Sequence, residues 1–484
     1  MVVGSGPSGW ASIEALVALG ECPTLIDIYY TDRTTDHLEG SSFDIKDGFS
    51  QKNRFGKSYM YAYPQDSIDV GTLRSKVPLS GAFGGLSTVW GSNLQLCHEA
   101  CGTVRDADQI DYVHAAMEVL GRIFHCGDND DLDEVARWPV PFLDKTPQTL
   151  RMKRIQSLLE EVAENEKFVA GMARNATRGE RSGCIACGKC MTGCEAGAIF
   201  STEQRISELI EAGKVHLVRG IVETIHKDSS HVIVNCSSVD RSEKFVIEAH
   251  TVFLAAGAIA SASILMRSGI IGKKATLQET QVSYLPILVP GMKSTSKSHY
   301  SLSQVFLQSR SGISGSGSFH MSLYEPSDEW PDRLRLIRPV LGRLFAGVIS
   351  RYVIVGICFL PSNESGRLEL NLGDDGVVRV IESRSPLTVK HFKKQLRSLR
   401  QLLWKKGIIP LVEFAEYPNV GASFHVGVLE SGGIRSIHDD GLTQFGAGLY
   451  VVDGSALRTV PTGPVTLSMM VNATMTVNRA LTDR

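Results

Sequence analysis

Two stretches hold residues whose types and spacing could do chemistry. Cys184-Ile-Ala-Cys187-Gly-Lys-Cys190-Met-Thr-Gly-Cys194 is a C-x2-C-x2-C-x3-C run. Thiolates packed this tightly can wrap one polynuclear centre. The spacing is that of a ferredoxin run, with Glu195 where a Pro would stand. Two cluster forms stay open: all four cysteines closing a 4Fe–4S cluster, or three holding a 3Fe–4S cluster. Four thiolates also suit tetrahedral zinc, although structural zinc sites usually set a longer loop between two C-x2-C knuckles. Inert thiols are the third reading.

The second stretch is the start of the chain, where Val2 and Val3 run into Gly4-Ser-Gly6-Pro-Ser-Gly9, a G-x-G-x-x-G. Gly4 permits a tight turn, Gly6 lets backbone approach a pyrophosphate, and Gly9 lets the next helix pack on the sheet. That helix is expected over 7–19, with Gly20 as its stop. The strand 23–27 ends in Asp27, eighteen residues after Gly9, where an acid can accept hydrogen bonds from ribose hydroxyls. Strand, glycines, helix, strand and acid in this order predict a dinucleotide site, the pyrophosphate lying on the helix N-terminus.

The rest of the chain must position these groups. Within 80–92, glycines and hydroxyls surround Trp90, as backbone lying flat against a planar ligand would require. Helices are expected over 110–125, 146–170 and 201–212. A strand pair covers 214–225, a hairpin 232–247, and a strand, small-residue turn and helix 251–269. Strand-like runs then alternate with turns: 282–289, 301–308, 316–323, 351–360, 367–372 and 377–381. Within them, 332–349 reads as an Arg-rich helix covering the sheet, a membrane or partner contact being the alternative. The basic helix 388–405 reads as a solvated face. In the tail, Asp453-Gly454 ends a strand and the turn at 461–467 opens a last helix over 468–480. This suits a second approach to the same cofactor.

At 484 residues the chain can bury a large core and hold two domains. A net charge of −2 gives no electrostatic case for nucleic acid. No run is long and apolar enough to span a membrane. The N-terminus goes straight into a core strand, so no signal peptide is expected. Four of ten cysteines lie within eleven residues, which fits metal and a reducing compartment better than disulfides. The expected location is cytoplasmic, with peripheral membrane contact as the alternative.

GSGPSG at 4–9, GGLSTVWG at 84–91, VFLAAGAIASASILMRSGI at 252–270, FHVG at 424–427 and LYVVDGSALRTVP at 449–461 stand in one order. In that order they resemble the glucose–methanol–choline (GMC) oxidoreductases, over nearly the whole chain. The resemblance implies an α/β fold: a Rossmann-type FAD-binding domain plus an α+β substrate domain with a mostly antiparallel sheet. The FAD-binding parts would be 1–110, 196–275 and 421–484, with a cap and cysteine segment at 111–195 and the substrate domain at 276–420. It implies oxidation of an alcohol, often a sugar, by hydride transfer to FAD. Gly4, Gly6, Gly9 and Asp27 would hold the ADP half. Gly85, Ser87 and Val222 would lie along the cofactor, and Asp453 and Gly454 would reach the pyrophosphate and flavin end. Val89 stands where some members attach FAD through a His, so non-covalent FAD is expected. His425 matches the catalytic base. The second catalytic slot, usually His or Asn, holds Pro464, which leaves Thr462, Thr466 or a water to take the role.

The stretch Cys190–Phe200 further resembles FAD-dependent sugar dehydrogenases that carry an iron–sulfur cluster, with Cys184, Cys187, Cys190 and Cys194 as its ligands here. That implies electron exit through the cluster to an acceptor protein or quinone. The alternatives are an oxidase using oxygen with a structural zinc site on the four cysteines, or a flavin-binding protein with degenerate catalysis.

Overall fold

Alternating residues of the first strands go to two different cores, and this sets the architecture. The computed structural model describes residues 1–31, 58–64, 67–71, 79–95, 106–128, 140–163, 168–190, 194–228, 230–294, 299–309, 318–326, 350–415, 426–430 and 448–482. His425 and the expected helix at 332–349 lie outside them. Five strands pair in parallel in the order Leu449–Val451, Val252–Leu254, Val2–Val3, Thr24–Asp27, His216–Arg219. Val2, Leu25, Phe253 and Tyr450 point to one side. There they meet Trp10, Ile13, Met470 and Val471 from the helices Pro7–Ala18 and Thr466–Thr482. Val3, Ile26, Leu254 and Val451 point to the other, against the helix Ala258–Arg267 and an antiparallel sheet of Ile221–Lys227, Val232–Ser237 and Lys244–Ala249. Three of these strands, Leu449–Val451, Val252–Leu254 and Val2–Val3, are covered on both faces and carry no charged residue.

The expected pair at 214–225 divides between two sheets. His216–Arg219 closes the parallel sheet, and Ile221–Lys227 starts the antiparallel one. The break falls at Gly220, where a Cβ would sit 2.8 Å from the Phe245 ring.

A six-stranded antiparallel sheet forms the second half, in the order Ile409–Pro410, Val282–Leu288, Val353–Phe359, His320–Tyr324, Val305–Ser309, Phe168–Met172. One face, with Leu285, Ile287, Cys358, Met321 and Leu307, packs on the helices Leu150–Ala163 and Pro386–Trp404. Register puts Val282 opposite Phe359, Phe359 opposite His320, and His320 opposite Gln308. The next row is Tyr284, Ile357, Ser322 and Phe306. Residues directly opposite share a face, so these eight form the sheet's other side.

One expectation is corrected here. The helix predicted over 146–170 stops at Ala163, and Phe168–Met172 is a strand paired to Val305–Ser309. Helical spacing ends at Val162. Beyond it, the sheet edge supplies backbone partners that outweigh local propensity. The helix is tied to the sheet by a buried ion pair. Arg151 meets Glu325 through Nε at 3.0 Å and through a second, closer contact, and also donates to the Arg351 carbonyl.

A mixed sheet of Val426–Glu430, Lys274–Glu279, Arg367–Leu372, Val378–Ser383 and Ile68–Asp69 joins the halves, sharing the core of the Ala258–Arg267 helix. Among the described residues no helix is long and apolar enough to cross a membrane.

Candidate active site

The carboxyl ends of the parallel strands open into a cavity of about 330 Å³. In open α/β sheets this is where ligands bind. Each of the five strands delivers residues to it: Gly4 to Ser8, Asp27 and Ile28, Gly220 to Val222, Ala255 to Ala260, and Asp453 with Gly454. The glycines do different work. Gly4 has a left-handed φ of 96°, and a Cβ there would strike the Ala255 carbonyl at 2.6 Å. Gly9 does not line the cavity. A Cβ on it would lie 1.9 Å from the Gly4 oxygen, so only glycine lets the helix start this close to the strand. Gly6 has nothing within 4 Å of where its Cβ would be, leaving a bare backbone facing the cavity at the helix N-terminus.

Asp27 is buried. It accepts the Ser5 N–H at 2.8 Å and the Tyr29 N–H at 2.7 Å. Burial is the dominant influence and raises its carboxyl to about 6, against the pull of those hydrogen bonds. Ser5 also accepts the Gly84 N–H at 2.8 Å, which fastens the 84–88 turn to the glycine loop. Ser87 donates to the Gly84 carbonyl and meets Thr202 at 2.8 Å. Gly85, Ser87 and Val222 all line the cavity. Asp453 accepts from the Gly257 N–H at 2.9 Å, from Ser261 Oγ, and from the Ser455 N–H at 3.0 Å. It therefore caps the Ala258–Arg267 helix while lining the cavity; burial raises its carboxyl.

The far end of the cavity lies under the six-stranded sheet, where Val282, Tyr284, Ile357, Phe359 and Tyr324 form an apolar and aromatic wall. Trp90 and Asn93 close it from the other side, with the Trp90 indole held by the Phe200 carbonyl at 2.9 Å. Ser92, also in the lining, has a left-handed φ of 51°, unusual for a residue with a side chain. Its fully buried Oγ has no hydrogen-bond partner among the described residues. Among the described lining residues, Asp27 and Asp453 carry the only formal charges.

Of the three catalytic candidates, Thr466 lines the cavity and so does Pro464. Thr462 is not among the lining residues; its hydroxyl pairs with Ser318 Oγ at 2.7 Å. Val426, next in sequence to His425, lines the cavity. The wall residues Tyr284, Tyr324, Ile357 and Phe359 escaped the sequence reading, because which strand face meets a cavity depends on pairing register. One signal was available: His320, Ser322 and Tyr324 put a polar group at every second position of a wholly buried strand.

The cysteine run is gathered at one place. Cys184, Cys187, Cys190 and Cys194 line one pocket of about 20 Å³, beside Thr177 and Tyr300. Among the described residues no group of three or more His, Cys, Asp or Glu converges to hold a metal ion. The arrangement gives the expected iron–sulfur cluster, and the zinc alternative, no support beyond that shared pocket. Burial raises the thiols of Cys184, to about 11, and of Cys190. The Cys190 N–H donates to Ser301 Oγ, and the Cys194 sulfur accepts from Ala198 N–H at 3.2 Å.

Residues 137–286 match the family model for GMC oxidoreductases. Two solved structures share the fold over almost their whole length. A pyridoxine 4-oxidase from Mesorbium loti has a TM-score of 0.59 at 11% identity, covering 99% of this chain and 98% of that one. An Aspergillus oryzae formate oxidase variant has 0.61 at 10% identity, covering 100% and 98%. No curated protein sequence matches the chain significantly. The family model covers 137–286 alone, and the two structures show that the chain shares their two-part fold, a Rossmann-like region plus a substrate domain on a largely antiparallel sheet.

Proposed function

We propose that the chain is an FAD-dependent oxidoreductase that oxidises an alcohol carbon. One observation carries this: a single cavity runs from the glycine loop and Asp27 to the aromatic wall of the six-stranded sheet. A dinucleotide laid along the first part would present its reactive end to a substrate under the wall. FAD, when bound, supplies a hydride acceptor. The chain's part is to bind and orient. Gly4 and Gly6 give close backbone approach, the N-terminus of the Pro7–Ala18 helix favours the pyrophosphate, and Asp27 takes ribose hydroxyls. Gly85, Ser87, Val222, Asp453 and Gly454 are assigned along the rest of the cofactor. His425 keeps the base role on the family resemblance, with Thr466 beside the cavity as a polar contact.

The wall argues for an uncharged substrate with an apolar or aromatic body rather than for a sugar. A sugar's hydroxyls would lie against Val282, Ile357 and Phe359 without partners, which is costly once water is excluded. Electrons then pass to an acceptor reaching the flavin from solvent. Dioxygen is the simplest, in keeping with the two oxidases that share the fold. Exit through a cluster at the cysteine run is the competing reading; its one support is that the four cysteines share a pocket.

The test is anaerobic reduction of the purified flavoprotein by a panel of aromatic alcohols, aliphatic alcohols and sugars. The reading expects bleaching of the flavin bands by an aromatic or apolar alcohol and reoxidation by air. Reduction by sugars alone would overturn the substrate class. Iron and sulfide at about four per chain would replace oxygen with the cluster as the exit.

A further inference from the structure

The helix Pro386–Trp404 buries one face and leaves the other charged. Phe392, Leu396, Leu399 and Leu403 pack on the six-stranded sheet. Between Glu382 and Glu413 the sequence holds eight Lys and Arg and no acid, in a chain whose net charge is −2. Acids of the fold neutralise three of the eight: Glu382 holds Arg384 at 2.9 Å, Glu413 holds Arg400 at 2.6 Å and Glu161 holds Lys406 at 2.6 Å. Four others, Lys390, Lys394, Arg397 and Lys405, are exposed and have no ion pair among the described residues. Their spacing puts them on one face of the helix, with Gln401 in the gap between the last two. The row is about 22 Å long.

An exposed apolar residue stands at each end of this row. Val389 is 42% exposed and Trp404 is 54% exposed. The Arg400 guanidinium lies 5.6 Å from the centre of the Trp404 ring, which holds the indole at the surface. A face built only for solvation would mix acids with its cations and keep its tryptophan inside.

We propose that this face docks on an anionic lipid surface. Each unpaired Lys or Arg in the row is drawn to lipid phosphates, and salt screens the attraction. An indole, with its apolar body and polar N–H, suits the level of the headgroups. An acidic protein would also match the cations. Protein interfaces, however, bury aromatic anchors at the centre and leave charges on the rim. Here the order is reversed, with charges along the middle and apolar side chains at the ends. The helix's own apolar face is occupied by the sheet, so the contact is peripheral and no helix enters the bilayer. Val282, Tyr284, Ile357 and Phe359 line the cavity from the sheet's other face. The docking face therefore lies across the sheet from the cavity, and the proposal does not depend on the oxidation reading.

The experiment is co-sedimentation of the purified protein with two kinds of vesicle. One is phosphatidylglycerol and phosphatidylcholine in equal parts; the other is phosphatidylcholine alone. Binding is expected to the first and not to the second, and should weaken as salt rises. Lys390→Gln, Lys394→Gln and Arg397→Gln combined should weaken binding about 100-fold. These are surface positions, so the melting temperature should stay near wild type. Brominated acyl chains should quench a part of the wild-type tryptophan fluorescence that is missing in Trp404→Phe. Absence of binding to anionic vesicles at low salt would overturn the proposal. So would equal binding to both vesicles, wild-type binding by the triple variant, or a Trp404 that lipid does not quench. Retention on polyaspartate or duplex DNA without vesicle binding would overturn it too, and would give the row to an acidic macromolecule.

Discussion

The two ends of the cavity are built by different means. The nucleotide end is made of backbone: loops after five parallel strands, with glycines where a Cβ would collide, and two buried acids that tie the loops together. The sheet end is made of side chains, set by which residues stand opposite one another across antiparallel strands. A backbone site tolerates no added atom but asks little of its neighbours. A side-chain site can change its substrate by one substitution without losing its fold. The first kind suits an invariant cofactor and the second a variable substrate.

Predictions that would break this comparison fall in order of size. Gly9→Val should have the largest effect, since its Cβ would overlap the Gly4 oxygen. Expected is a protein that purifies without flavin or not at all; a flavin-replete variant would mean the glycine loop is not the nucleotide end. Arg151→Met should cost about 3–5 kcal/mol by leaving Glu325 buried and unpaired. Thermal or denaturant unfolding measures it, and a loss below about 1 kcal/mol would deny the pair its place in holding the helix to the sheet.

Asp27→Asn tests the acid at the nucleotide end. The folded carboxyl is raised to about 6, so between about 4 and 6 the flavin-free folded protein holds a proton that the unfolded chain has lost. Stability from this group is therefore present below pH 4 and lost as pH rises through 6, by about 3 kcal/mol at most. The Asn variant should lack that decline and bind FAD about 10-fold more weakly, as loss of a charge-assisted hydrogen bond implies. Unfolding curves across pH and a flavin titration would check both. Phe359→Ala should sharpen the contrast from the other side: FAD retained, with KM for an aromatic alcohol raised about 10-fold or more. Loss of FAD instead would merge the two ends into one site. Smallest of all, Cys187→Ser, at an exposed position of the cysteine run, should leave flavin reduction unchanged. A variant that reduces normally yet no longer passes electrons on would revive the cluster.

The glycine-loop end of the cavity was legible in the sequence because its signals are local. Gly4, Gly6 and Gly9 lie within six residues, and Asp27 follows one helix later. The sheet end was not. Tyr284, Tyr324, Ile357 and Phe359 come from three strands, and nothing within any one of them says which face meets the cavity. The strand Phe168–Met172 was hidden because its partner, Val305–Ser309, is far along the chain, and only pairing makes it a strand. The cysteine run shows the reverse case. Its spacing matches a ferredoxin run, but spacing does not establish ligand geometry: the four cysteines share one pocket, yet among the described residues no group of three or more is placed to hold a metal ion.

The central claim is that one cavity takes both a flavin and an alcohol. It is tested most directly by purifying the protein, recording its visible spectrum, and adding benzyl alcohol without oxygen. The account predicts flavin absorbance in the purified protein, about one FAD per chain, and its bleaching by the alcohol. A protein that neither carries nor takes up FAD, or whose bound flavin no alcohol reduces, would contradict it.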